Sequence, residues 1–262
     1  MTTETGHALT RIAPTPSGFL HAGNLLNFLL IQRLASEHSA DIALRIDDMD
    51  AFRLRPEYVA DIFRCLQWLG ICWSIGPQSM AEYELLPSPE ERADHYYDAL
   101  TDMIGAGLPA FVCRCSRRDL GRDARCEKGC ADKRLPFVPR KTLVRVRIPA
   151  GADPEVVAMG DTPLWRREDL PAYQLTSIID DHELGVTHIV RGEDLRPSTE
   201  LQLWLARFLP DSPFLRAEIR HHHLVTDDAG QKLSKSQGTG MLELTPALRE
   251  RLEQLVESAV WS

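Results

Sequence analysis

The spacing of apolar residues changes several times along this chain of 262 residues, and each change marks an element. Leu9–Ala13 is a short apolar run that predicts a strand. It leads into Pro14-Thr15-Pro16-Ser17-Gly18, a loop that its prolines keep from being helical. Leu25, Leu26, Leu29, Leu30 and Leu34 then recur at helical spacing within Phe19–Ala35. Ala40–Ile46 predicts a buried strand whose C-terminal end delivers carboxylates in Arg45-Ile46-Asp47-Asp48, and Pro56–Leu69 and Ser88–Ala106 predict amphipathic helices. Strand, loop, helix, strand, helix is the opening of a parallel α/β sheet. Between Leu108 and Trp165 the helical period is lost, and Cys, Arg, Pro and a strand-like Thr142–Ile148 predict an insertion with its own small fold. Alternation resumes with Leu175–Ile179, Val186–Val190 and a helix from Ser198 to Phe208. The expected organisation is a first half over 1–107, an insertion over 108–165, a second half over 166–240 and a short helix over 241–262.

Composition narrows the class. No apolar stretch approaches the roughly 18 residues a membrane span needs, and the first twenty residues lack a basic start followed by an apolar run, so a cytoplasmic protein is expected. The net charge is −8, but Arg114–Arg147 carries twelve Lys/Arg against four Asp/Glu, a candidate phosphate-facing patch. Four of six cysteines lie within that stretch or beside it, as Cys113-x-Cys115 and Cys126-x₃-Cys130. Four thiolates can surround one Zn²⁺ tetrahedrally and leave no position for water, which predicts a structural site. Arg117, Arg118, Arg122, Arg125 and Lys128 would offset the thiolate charge. Cys65 and Cys72, among apolar residues and tryptophans, are expected to be buried thiols.

Two further motifs point to polyphosphate. His21-Ala22-Gly23-Asn24 opens a helix with an imidazole and a glycine in its first turn, where backbone N–H groups and the positive helix end can meet an anion. Lys232-Leu233-Ser234-Lys235-Ser236 follows the turn residues Asp227-Asp228-Ala229-Gly230 and sets two lysines three apart. His221-His222-His223 is expected at a strand edge, just before a strand at Leu224-Val225, and is not read as a metal cluster.

These two motifs resemble the signatures of the class I aminoacyl-tRNA synthetases. Arg11 to Gly18, Arg45-Ile46-Asp47-Asp48, Tyr173-Gln174-Leu175 and Ile189 to Leu195 resemble the glutamyl-tRNA synthetase branch. The resemblance runs over residues 9 to 240. With so little chain after Lys235, it is to the shortened glutamyl-Q tRNA(Asp) synthetase group, which lacks the anticodon-binding domain. It implies a Rossmann-like α/β catalytic fold with an inserted zinc subdomain, acting as a monomer. It also implies ATP-dependent activation of glutamate, with Mg²⁺ on the pyrophosphate, and transfer to the queuosine base of tRNA(Asp). The tRNA 3′ end and a non-tRNA carrier remain alternative acceptors. The implied catalytic residues are His21, Lys232 and Lys235, with Gly23, Asn24 and Ser234 also at ATP. Glutamate would meet Arg11 or Arg191 through its side chain, Asp47 through its ammonium, and Ala13, Pro14, Thr15 and Tyr173 around these. This chain departs from the group in having Asp47 for the usual glutamate, Thr15 for serine, Cys126 for a tyrosine ligand and a short stretch between Ile148 and Trp165.

Overall fold

The structure, a computed structural model, describes residues 7–50, 52–121, 123–223, 240–259 and 261. Its elements are β1 (Leu9–Ile12), α1 (Ala22–His38), β2 (Asp41–Leu44), α2 (Pro56–Leu69), α3 (Met80–Tyr83), α4 (Pro89–Gly105), β3 (Ala110–Cys113), β4 (Leu143–Val146), α5 (Pro154–Ala158), β5 (Thr162–Trp165), α6 (Tyr173–Leu184), β6 (His188–Gly192), α7 (Arg196–Ala206), β7 (Glu218–His222) and α8 (Pro246–Ser258). They form a mixed α/β fold of two compact units. One comprises Met1–Leu86, Val186–Asp194 and Ala217–Ser262; the other comprises Pro87–Gly185 and Leu195–Arg216.

In the first unit β1 pairs in parallel with β2, and β6 pairs in parallel with β7. The pairs abut where the Thr187 N–H donates to Leu9 O at 2.9 Å, so β1 and β6 lie side by side. Helix α1 covers these strands with Leu25, Leu30, Ile31 and Leu34, all fully buried, and packs on its other flank against α8. Ile12, Ile62, Leu66 and Val190 join the same core. Gly76 sits against the end of β2 at φ +97°, and a Cβ there would lie 2.0 Å from Leu44 O. Only glycine fits that approach.

The second unit carries the antiparallel sheet β3-β4-β5, with a register irregularity between Val144 and Arg145. Helices α4, α6 and α7 belong to it. Tyr96 on α4 donates its hydroxyl to Asp180 on α6 at 2.7 Å, and Gln202 on α7 donates to Gln174 on α6 at 3.0 Å.

Several sequence expectations shift. Helix α1 begins at Ala22, because the chain stays extended through His21. Leu175–Ile179 lies inside helix α6; its apolar run is a buried helix face. The strand near the histidine run is β7, which contains His221 and His222, while Leu224 and Val225 lie outside the described residues. Cys65 is buried, and that burial pushes its thiol up to about 12, whereas Cys72 is exposed. The chain leaves α2 through Gly70 in the left-handed region, so Ile71 turns in and Cys72 turns out. Among the described residues no helix is long and apolar enough to cross a membrane.

Candidate active site and cysteine centre

The carboxyl ends of the first unit's parallel strands gather most of the charged candidates, the edge where open α/β sheets bind ligands. Arg11 is the third residue of β1 and Arg191 the fourth of β6; both are buried, and both have partners. Buried guanidinium groups are costly unless paired, so their placement marks a site for anionic partners or a buried ion network. The loops leaving β1 and β2 run together. The Arg45 N–H donates to Ile12 O at 2.9 Å and the Asp47 N–H to Pro14 O at 3.0 Å, which brings Asp47 beside the Pro14-Thr15 backbone. Asp47 is already engaged: Arg45 donates to it through Nε at 2.7 Å and through Nη2 at 3.4 Å. Thr15 is exposed, and Ala13 is half-buried.

His21 is the N-cap of α1. Its N–H donates to Asn24 Oδ1 at 3.0 Å, while the Asn24 N–H donates to His21 O at 2.9 Å. A Cβ on Gly23 would come 3.1 Å from Cε1 and Nδ1 of the His21 ring, tighter than ordinary contact. Glycine thus lets the imidazole fold over the first turn of the helix. Lys232, Ser234 and Lys235 lie outside the described residues. Tyr173 belongs to the second unit, where it is the exposed first residue of α6.

A residue the motifs do not announce holds this region in place. Asp61 on α2 is fully buried and accepts from the Leu20 N–H at 2.8 Å, one residue before His21. Its other oxygen accepts from Arg64 Nε and Nη2 at 2.9 and 2.7 Å, and Arg64 Nη2 also donates to Leu242 O at 3.0 Å. One carboxylate and one guanidinium therefore join the entry to α1 with the chain that enters α8. The signal was available: Asp61 falls on the apolar face of α2, between Val59 and Ile62, where a lone carboxylate needs partners.

In the second unit the four cysteines come together. Cys113, Cys115, Cys126 and Cys130 are all buried, and their sulfur atoms lie within 4.8 Å of one another. The Cys113–Cys126, Cys115–Cys126 and Cys115–Cys130 sulfur separations are 3.8, 3.6 and 3.8 Å. This cluster could hold a metal ion. Burial raises the Cys115 thiol. Burial also raises Cys126, but hydrogen bonds from the Cys130 N–H and the neighbouring thiols outweigh that and bring it down to about 7. The Cys115 N–H points at Cys113 Sγ at 3.3 Å.

Of the cations the sequence spacing suggested, Lys128 lies close enough to feel the charge of Cys115 and Cys126, and two further arginines bond to the cysteine backbone. Arg145 donates to Cys115 O at 3.2 Å and Arg147 to Cys126 O at 3.4 Å. Both also bind Asp161, whose carboxylate accepts from the Cys126 N–H at 2.7 Å. Lys128 pairs with Asp119 at 2.6 Å and Arg125 reaches Ile148 O, while Arg117 and Arg118 are exposed; Arg122 lies outside the described residues. Gly160, at φ +64°, passes close to Asp123 O, an approach a Cβ would block at 2.6 Å. That close approach lets Asp161 reach under the cysteine loop.

Comparison with known proteins fits this arrangement. Residues 7–142 and 140–246 match the model of the class I tRNA synthetase (E and Q) catalytic domain. A glutamyl-Q tRNA(Asp) synthetase of Rhodobacter capsulatus is 34% identical over 87% of this chain and 90% of its own length. One from Parasynechococcus marenigrum is 38% identical over 92% of this chain and 76% of its own. A crystal structure of a glutamate tRNA ligase from Elizabethkingia meningosepticum with its amino acid superposes at TM-score 0.64 and 22% identity, over 90% of this chain and 51% of that longer one.

Proposed function

The chain belongs to the class I tRNA synthetases of the glutamate and glutamine branch, and from that premise we propose that it activates glutamate with ATP and transfers it to a tRNA. The acceptor we favour is the queuosine base of tRNA(Asp); relatives matched over most of their length are named glutamyl-Q tRNA(Asp) synthetases. One observation carries the reading: two buried arginines, an aspartate and a helix-capping histidine share the carboxyl edge of one parallel layer.

Activation is an in-line attack of the amino acid's carboxylate on the α-phosphate of ATP. The nucleophile is already ionised, so no general base is needed, and catalysis rests on positioning and on stabilising charge. His21 and the N–H groups of the first turn of α1 face the phosphates, with Gly23 keeping that approach open. Lys232 and Lys235 follow charge onto the departing pyrophosphate, where Mg²⁺ would neutralise the same oxygens. Arg11 or Arg191 forks the side-chain carboxylate of glutamate. Asp47 receives the ammonium, with Arg45 fixing the orientation of its carboxylate. Asp61 and Arg64 act one step removed, by holding Leu20 and so the entry to His21.

The four cysteines suit zinc. At a zinc–sulfur distance of roughly 2.3 Å a tetrahedral site has edges of about 3.8 Å; three of the sulfur separations are 3.6 to 3.8 Å, and all lie within 4.8 Å. Zinc bound to Cys113, Cys115, Cys126 and Cys130 would be a structural ion, stabilising all four as thiolates.

The acceptor is tested with labelled glutamate and three RNAs: queuosine-containing tRNA(Asp), the same tRNA trimmed of its 3′-terminal adenosine, and an unmodified transcript. Labelling of the first two and not the third supports the queuosine acceptor. Labelling that requires the intact 3′ end overturns it in favour of a compact synthetase.

A further inference from the structure

At the opposite edge of the first unit, where the strands begin, stands a second group of metal-ligating side chains. His38 closes the last turn of α1, His188 opens β6 and Glu218 opens β7. One ligand atom from each lies within 4.8 Å of the others. The site is far from the candidate active centre along α1: the 17 residues between its two ends rise by about 25 Å.

The neighbouring contacts bear on which nitrogens face the gap. Thr187 Oγ1 lies 3.2 Å from Leu9 O and 2.8 Å from His188 Nδ1, and in the tautomer with its proton on Nδ1 the ring donates to this hydroxyl. That tautomer leaves a lone pair on His188 Nε2, 3.8 Å from Glu218 Oε2. Arg220 Nη2 donates to His38 Nε2 at 3.1 Å, so this nitrogen too carries a lone pair, 3.9 Å from the same carboxylate oxygen. Two imidazoles and a carboxylate oxygen therefore converge beside the Arg220 guanidinium, which occupies the His38 lone pair and pairs with Glu218. A metal ion would take the place of that one Arg220–His38 contact.

We propose that His38, His188 and Glu218 bind a divalent transition-metal ion of the zinc class, separate from the cysteine centre. Nitrogen and oxygen ligands about 2.1 Å from a shared tetrahedral ion stand about 3.4 Å apart. Small rotations of the half-exposed Glu218 carboxylate close the observed gaps. Water takes the remaining position, since the side chains are 30%, 14% and 42% exposed. The carbonyl end of α1 adds a favourable dipole for a cation. Thr187 serves as the partner that fixes the ring of a ligating histidine. Arg220 need release only its contact with His38. It keeps Glu218 Oε1 at 2.6 Å and Glu37 at 3.0 Å, and it lies over the Trp261 ring. The ion would tie the end of α1 to the starts of β6 and β7.

The test uses the full-length protein with its cysteine centre filled with zinc. Co²⁺ is then titrated at pH 7.5 and read by visible absorption and equilibrium dialysis. The expected result is one further equivalent, with ligand-field bands and no thiolate-to-metal charge transfer. His188→Ala and Glu218→Gln should each weaken that equivalent by at least about tenfold while retaining the first zinc and the melting temperature of the zinc-only protein. Wild-type protein that takes up no second equivalent overturns the proposal, as does a second equivalent that survives both substitutions. If His188→Ala fails to fold, His38→Gln supplies the same comparison from the other imidazole.

Discussion

The cysteine centre and the strand-end site differ in how the chain assembles them. All four cysteine sulfurs come from eighteen consecutive residues, beginning at the end of β3, and each lies within 3.8 Å of a neighbour. The strand-end site draws on residues as far apart as Arg11 and Arg191, joined only by the pairing of parallel strands and by the crossing of two loops at Pro14 and Asp47. A local centre can be written into spacing. A dispersed one depends on topology, and on buried residues such as Asp61 that touch no substrate.

The largest expected effect falls on the dispersed site. Lys235→Ala should reduce ATP–pyrophosphate exchange by about 10²–10³-fold while leaving the melting temperature unchanged. An unaltered rate would remove the lysine motif from the mechanism. Cys115→Ser should instead abolish the chelator-resistant zinc of about one per chain, measured by elemental analysis, and lower the melting temperature. Metal-free wild-type protein with full stability would break the contrast between the two regions.

Asp61→Ala should cost about 3 kcal/mol, because it leaves the Leu20 N–H and Arg64 without their shared acceptor. Denaturant unfolding reads that loss. Asp61→Asn should recover part of the stability, because an amide oxygen can still accept from Leu20. Equal losses in both variants would mean that the charge alone matters.

The smallest effect concerns His222. Burial depresses its basicity below the usual imidazole range. The unfolded chain therefore takes up the proton first as pH falls. Stability from this group is full above about pH 6.5 and is lost as pH drops from there through the lower folded value. Melting curves from pH 7.5 to 5.5 should be flatter for His222→Gln than for the natural chain. Equal slopes would show that other groups carry the acid sensitivity.

The same contrast explains what the sequence made legible. The boundaries Pro56–Leu69 needed no correction, since proline at the start and Gly70 after the end bracket an amphipathic pattern. The cysteine set was readable from spacing alone. Arg145, Arg147 and Asp161 were not, because their contact with the cysteines depends on β4 and β5 folding back across the loop. Leu175–Ile179 shows the limit of period: a helix buried on several sides gives the same apolar run as a strand. The Arg45 fork onto Asp47 was hidden for another reason. Residues two apart point the same way on a strand, but only the turn after β2 decides whether their charges meet.

The central claim is that the strand-end site activates glutamate. Exchange of labelled pyrophosphate into ATP with glutamate, aspartate or glutamine, each with and without bulk tRNA, tests it most directly. Exchange is expected with glutamate in the absence of tRNA, and none with the other two. No exchange with glutamate under either condition would contradict it.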